Sequence, residues 1–234
     1  PRSTRKESSA ASDVYKRQPK ISKSNKVYNY AKKTIPSGGQ TFSKGVTQFV
    51  EGFAPKYLES GKGAYSTDLD GNRYIDASSG PIVSNIGHSN QVVLSAMKRQ
   101  MNKSTFGYRL HFINEPAEEL AAITAELMPG NLNQIFFTSG GSEAVESALK
   151  LARQYAVNTK KDKKWKIISL TPSYHGGTFG ALAITGMSPF VDPFSKMLKM
   201  MPKISAATCY LDQDNLSDAE RGINYANLLE KEII

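Results

Sequence analysis

Apolar and polar positions along this chain fall into two rhythms. Val92, Val93, Ala96, Met97 and Met101 recur at helical spacing after Gly87-His88, which predicts an amphipathic helix. Leu120, Ile123 and Leu127 do the same between Glu115 and Leu127; Pro116 suits the first turn and Pro129-Gly130 a stop. Residues 25–34 predict a short helix ending before the turn Ile35-Pro36-Ser37-Gly38-Gly39, and 219–234 a further helical pattern. Alternation at Gly63–Leu69, a turn at Asp70-Gly71-Asn72 and the return Arg73–Asp76 predict a β-hairpin. Residues 46–58 read as a loop leading into an extended segment, and Ser78-Ser79-Gly80-Pro81 as a loop. The runs Ile135–Phe137 and Ile167–Leu170 suit strands buried on both faces. Each is followed by small residues and then a helix, one with Val145, Ala148, Leu149, Ala152 and Ala156 on its apolar face, the other over Thr178–Ile184. Between that helix and the last one, residues 186–203 read as a long surface excursion. Strands alternating with helices predict an α/β architecture with a largely parallel sheet.

Length and composition narrow this picture only slightly. The 234 residues suffice for one large or two small domains, and 39% hydrophobic residues can build a core. No apolar run approaches a membrane span or the core of a secretory signal. Cys209 is the only cysteine. It rules out an internal disulfide and fits a reducing, cytoplasmic setting. The net charge of +9 is local. Residues 1–33 hold 10 Lys/Arg and 2 acids, the remainder 20 and 19. The basic character belongs to a tail, so no nucleic-acid face follows from it. Residues 1–18 lack periodicity and read as a disordered or non-native leader.

The chemistry concentrates at the ends of the two apolar runs. Ser139, Gly140, Gly141 and Ser142 carry little bulk and lead into a helix whose first N–H groups form an anion site; Ser142 adds a hydroxyl. A phosphate cradle and an ordinary strand–turn–helix connection both fit these residues. Tyr174-His175-Gly176 occupies the corresponding place after the next strand, where open α/β sheets bind ligands. An aromatic plane beside a phosphate cradle suits a flat, phosphorylated heteroaromatic cofactor; a Tyr simply packed at a strand end is the alternative. Other chemistries fail on pattern. There is no G-x-x-x-x-G-K-[ST], and Gly176-Gly177-Thr178-Phe179-Gly180 does not match G-x-G-x-x-G. Ser147–Lys150 matches S-x-x-K but lies within the amphipathic helix, without the companion motifs. His88, His111 and His175 have no metal-ligand spacing.

Taken together, Gly61-Lys62-Gly63, Asp68–Asp76, Gly87-His88, Thr138–Arg153 and Ser173–Gly176 with Gly180-Ala181-Leu182 resemble the N-terminal half of the class III, fold type I, pyridoxal-phosphate-dependent aminotransferases, over about residues 35–234. The resemblance implies an N-terminal small-domain segment over 19–80 and the first part of a large cofactor domain over 81–234. It implies that Gly141 and Ser142, with Ser139 and Gly140 beside them, hold the phosphate of pyridoxal 5'-phosphate. Tyr174 would stack on the ring with His175 near it. Ser79 and Gly80 would approach the substrate. Tyr108 and Arg109 would reach the partner subunit's active site in a homodimer, where an Arg can receive a carboxylate. The implied reaction moves an amino group from an amine, ω-amino acid or amino acid to a 2-oxo acid, with no role for nucleic acid, membrane or metal.

The family also needs a Schiff-base lysine and an acid facing the pyridine nitrogen. Both positions fall beyond Ile234, so the resemblance implies an incomplete fragment with no catalytic residue of its own, inactive alone and folding poorly. Two alternatives remain open: an aminomutase of the glutamate-1-semialdehyde type, which Ile35–Gly39 resembles, and a non-catalytic relative of the same fold.

Overall fold

The computed structural model describes residues 19–39, 54–108, 110–208, 210 and 215–233. The leader 1–18, most of the loop expected over 46–58, Arg109 and Cys209 lie outside them. The chain forms two compact units that divide between Asn114 and Glu115. Residues 81–114 therefore group with the first unit.

The first unit is built on an antiparallel sheet of β1 (Leu58–Lys62), β2 (Tyr65–Asp68) and β3 (Arg73–Ile75). The expected hairpin forms with Tyr65 opposite Ile75 and Thr67 opposite Arg73. Gly71 takes φ 86° in its turn, a conformation that suits glycine. Asp68 organises that turn. It is only 2% exposed, and its carboxylate accepts from the N–H of Asp70 and Asn72, the Asn72 amide and the Tyr74 hydroxyl at 2.8–3.0 Å. Asp70 points outward and caps α1 (Ser22–Ala31), accepting from Lys23 N at 2.8 Å and Ser24 N at 2.9 Å. Helix α1 starts three residues before the expected 25–34 because this cap arrives from a distant segment. A separate 3₁₀ turn follows at Pro36–Gly38.

Ser78–Pro81, expected as a loop, instead enters a four-residue helical turn, Ser79–Ile82. Ser79, Gly80 and Ile82 take left-handed φ values of 51°, 61° and 63°. Helix α2 (Gln91–Lys103) is capped by Asn90, whose side chain accepts from Val92 N at 3.1 Å.

The second unit holds α3 (Glu115–Leu127), α4 (Gly141–Asn158), β4 (Ser169–Thr171), α5 (Phe179–Ile184), β5 (Lys203–Ser205) and α6 (Asp218–Ile233). Strands β4 and β5 pair in parallel, Ser169 opposite Lys203. Helix α5 is the heart of the core, with Ala181, Leu182, Ala183 and Ile184 all buried. A capping box opens α6: Glu220 accepts from Ser217 N, and Glu220 N donates to Ser217 Oγ.

Three expectations change here. Ile135–Phe137 is not a strand, and Phe136 is 68% exposed. A strand needs neighbours for its N–H and C=O groups, and no described segment pairs with this one. The second apolar run forms its strand at 169–171, not 167–170, because pairing with β5 sets the register. The excursion over 186–203 is partly ordered: it contains a helical turn at Ser188–Val191, a 3₁₀ segment at Asp192–Met197 and the first residue of β5.

Candidate active site

Two segments of the second unit meet at the N-terminus of α4. The first is Ser139–Ser142. Gly140 is the N-cap, in extended conformation and with no side-chain cap. Ala144 N donates to Gly140 O at 3.0 Å, and the N–H groups of Gly141, Ser142 and Glu143 have no acceptor among the described residues. A Cβ placed on Gly140 or Gly141 would meet no atom within 4 Å, so this side of the turn is open. Ser139 contributes less than its neighbours, because its N–H is already engaged by the Glu143 carboxylate at 2.8 Å.

The second segment is the loop Ser173–Thr178, which leaves the carboxyl end of β4 and enters α5. Gly177 N donates to Ser142 Oγ at 3.1 Å, which leaves the hydroxyl hydrogen free for a ligand. Gly176 is buried, at φ 138°. A Cβ there would lie 2.5 Å from Ser142 Oγ and 2.9 Å from Ala181 Cβ, so only glycine lets the segments approach this closely. Tyr174 packs against Phe190 with ring centroids 5.5 Å apart. Its hydroxyl would lie 3.8 Å from a Cβ on Gly177, which places it beside the cradle, and 59% of the residue remains exposed. His175 is fixed through its backbone N–H, which donates to the fully buried Thr185 hydroxyl at 3.1 Å; Thr185 Oγ1 in turn donates to Ala181 O. His175 Nε2 is buried without a partner among the described residues. An orphaned ring nitrogen of this kind calls for a bound group or a water.

Glu146 stands four residues before Lys150, a spacing that on its own suggests a helix-surface pair. The structure gives it another place. Its carboxylate accepts from Gly180 N at 2.8 Å and Ala181 N at 3.2 Å. Bonding from Thr178, more than the pull of Lys150, holds its carboxyl below the usual range against the opposing effect of burial. Thr185 carries no signal in the sequence, and the spacing of Gly177 and Gly180 does not reveal their contacts with Ser142 and Glu146.

The first unit holds the other expected residues. Asp76 accepts from Ser79 N at 2.8 Å and Ser78 N at 3.2 Å, and its second oxygen meets His88 Nε2 at 2.6 Å. Ser66 Oγ approaches the same Nε2 at 3.3 Å. Both groups converge on one ring nitrogen, which excludes a Ser-His-Asp relay. The arrangement instead holds the backbone of Ser78 and Ser79. Tyr108 lies in an exposed aromatic turn, 5.4 Å from the His111 ring. No cluster of metal-binding side chains occurs among the described residues, nor is any helix long and apolar enough to cross a membrane.

Backbone donors, a free hydroxyl hydrogen, an open glycine turn, an exposed aromatic face and an unpartnered imidazole nitrogen fit a phosphorylated heteroaromatic molecule. The comparisons point the same way. The family model described as aminotransferase class-III matches residues 51–233. The uncharacterized aminotransferase YodT of Bacillus subtilis is 42% identical over 149 residues, 64% of this chain and 34% of its own length. The adenosylmethionine-8-amino-7-oxononanoate aminotransferase of Staphylococcus aureus is 37% identical over 60% of this chain and 32% of its own. Among solved structures, an (S)-enantioselective omega-transaminase from Thermomicrobium roseum superposes with a TM-score of 0.72 at 32% identity, covering 80% of this chain and 42% of that one. The omega transaminase of Pseudomonas jessenii, solved with PMP, gives 0.72 at 29%, covering 76% and 40%. The chain thus spans about a third of the curated relatives it matches and about two fifths of the solved ones.

Proposed function

The chain belongs to the class III aminotransferases, and from that premise we propose that it forms the cofactor-anchoring part of a pyridoxal-phosphate-dependent aminotransferase. That enzyme moves an amino group from an amine, ω-amino acid or amino acid to a 2-oxo acid. The observation that carries this reading is the meeting of Ser142 with Gly176-Gly177 beside the open face of Tyr174. The N–H groups of Gly141, Ser142 and Glu143 and the Ser142 hydroxyl hold the phosphate, with Gly140 leaving room for it. Tyr174 covers one face of the ring and restricts its tilt. His175 Nε2, buried without a partner among the described residues, would bond to the cofactor or to a water beside it. The resemblance assigns Ser79 and Gly80 to the substrate, and Tyr108 and Arg109 to the partner subunit's site in a homodimer. Bound pyridoxal phosphate supplies an electron sink, which is the chemistry that amino transfer requires. The lysine that carries the cofactor and the acid against its ring nitrogen belong, in this proposal, to the part of the relatives that the chain does not span. Residues 19–80 then serve the small domain and 81–234 the large one, in a cytoplasmic enzyme. The relatives named above are aminotransferases and transaminases, which favours transfer over an aminomutase.

The test is titration of the protein with pyridoxamine 5'-phosphate, followed by the ring's absorbance and fluorescence. Saturable binding that Ser142→Ala and Tyr174→Ala each weaken is expected. Binding unchanged in both variants would overturn the assignment.

A further inference from the structure

Resting on the cofactor reading above, we infer that Glu146 is a positioning residue that sets the separation between the phosphate cradle and the aromatic platform. Ser142 and Glu146 stand four residues apart, on one face of α4. Each accepts from the backbone of the facing segment, Ser142 Oγ from Gly177 N at 3.1 Å and Glu146 from Gly180 N at 2.8 Å and Ala181 N at 3.2 Å. Under each contact lies a glycine with no room for a side chain. A Cβ on Gly176 would lie 2.5 Å from Ser142 Oγ, and one on Gly180 would displace the Glu146 carboxylate. The two segments therefore close like a clasp with two teeth. The tooth at Ser142 faces the ligand and is shared with it; the tooth at Glu146 lies one turn deeper and is not.

The consequence concerns geometry. The cradle belongs to α4, whereas Tyr174 and His175 belong to the loop that enters α5. A phosphate needs only the first. A phosphorylated ring needs both, at a fixed distance. Glu146 holds the start of α5 against α4 by charge-assisted bonds, which are stronger than neutral ones. Such bonds leave Tyr174 placed whether or not a ligand is present. Removing the carboxylate loosens the start of α5, on which the loop's position depends, without touching the N–H groups of Gly141, Ser142 and Glu143.

The experiment compares two probes, pyridoxamine 5'-phosphate and inorganic phosphate, by calorimetric titration of the unsubstituted protein, Glu146→Ala and Glu146→Gln. The alanine variant should bind pyridoxamine 5'-phosphate about 10-fold or more weakly while phosphate binding changes less than about 2-fold. Glutamine keeps the length and one acceptor oxygen, so it should recover part of the loss. Circular dichroism establishes that each variant is folded; should alanine fail there, glutamine against the parent gives the same split at smaller size. Equal losses for both probes, or none for either, would overturn the positioning role and leave the cofactor reading standing. No pyridoxamine 5'-phosphate binding by the unsubstituted protein would overturn both.

Discussion

Gly176 shows how much one missing side chain decides. Its φ of 138° and the 2.5 Å gap to Ser142 Oγ leave no place for a methyl group. Gly176→Ala should therefore push the Tyr174 loop off α4, lowering stability by about 2 kcal/mol or more and weakening pyridoxamine 5'-phosphate binding; thermal melting and titration check both. Glu143 works in the opposite direction. Its carboxylate takes the Ser139 N–H at the mouth of the cradle, where it repels an incoming dianion. Glu143→Gln should raise phosphate affinity several-fold at low salt, with the gain shrinking as ionic strength rises, as titration at two salt concentrations would show. The tight turn and the hydroxyl could be read from Gly140, Gly141 and Ser142 as letters. The carboxylate that competes with the ligand could not, because Glu143 looks like an ordinary first-turn acid that favours the helix dipole.

Whole elements in the first unit hang on a few buried groups of the hairpin turn. Burial pushes the Asp68 carboxyl up, but bonds from Asn72, Tyr74 and Asp70 outweigh it, so the folded value lies below the usual one. A depressed acid stabilises the fold above its unfolded pKa and loses that contribution as pH falls through the folded value. Tyr74 is raised to about 12, chiefly by burial and then by its bond to Asp68. A raised phenol stabilises the fold below about pH 10 and loses that as pH rises toward about 12. Melting of the hairpin with its attached α1 should thus fall at both ends, below about pH 4 and above about pH 10. Asp68→Asn should flatten the acid limb, as a series of thermal melts across pH would reveal. The hairpin itself was plain in Asp70-Gly71-Asn72 between alternating runs. The start of α1 was not, since its cap is Asp70, almost fifty residues away.

Among the described residues, several apolar helix stripes lie exposed. Val92 is 80% exposed and Ile123 56%, although their spacing marks them as inward-facing positions of α2 and α3. Exposed apolar area on this scale drives association. The chain alone should bind a hydrophobic dye and sediment above its monomer mass of 25.6 kDa; a clean monomer with no dye uptake would contradict this. Local pattern specifies the helices α2, α3 and α6, the hairpin, and the small-residue turn that leads into α4, because these depend on periodicity, capping and turn chemistry. The sequence also carries the family resemblance, since motifs in order along a chain need no coordinates. The meeting of distant segments is what leaves Ile135–Phe137 unpaired among the described residues, starts β4 at Ser169 and brings Glu146 to α5. Pairing, register and long-range caps depend on which segments meet, and spacing along one strand or helix does not encode its neighbour. That is why Ser139–Ser142 and Tyr174–Gly176 stand out as candidate segments in the sequence, while the contacts that bring them together, at Gly176 and Glu146, are visible only in the fold.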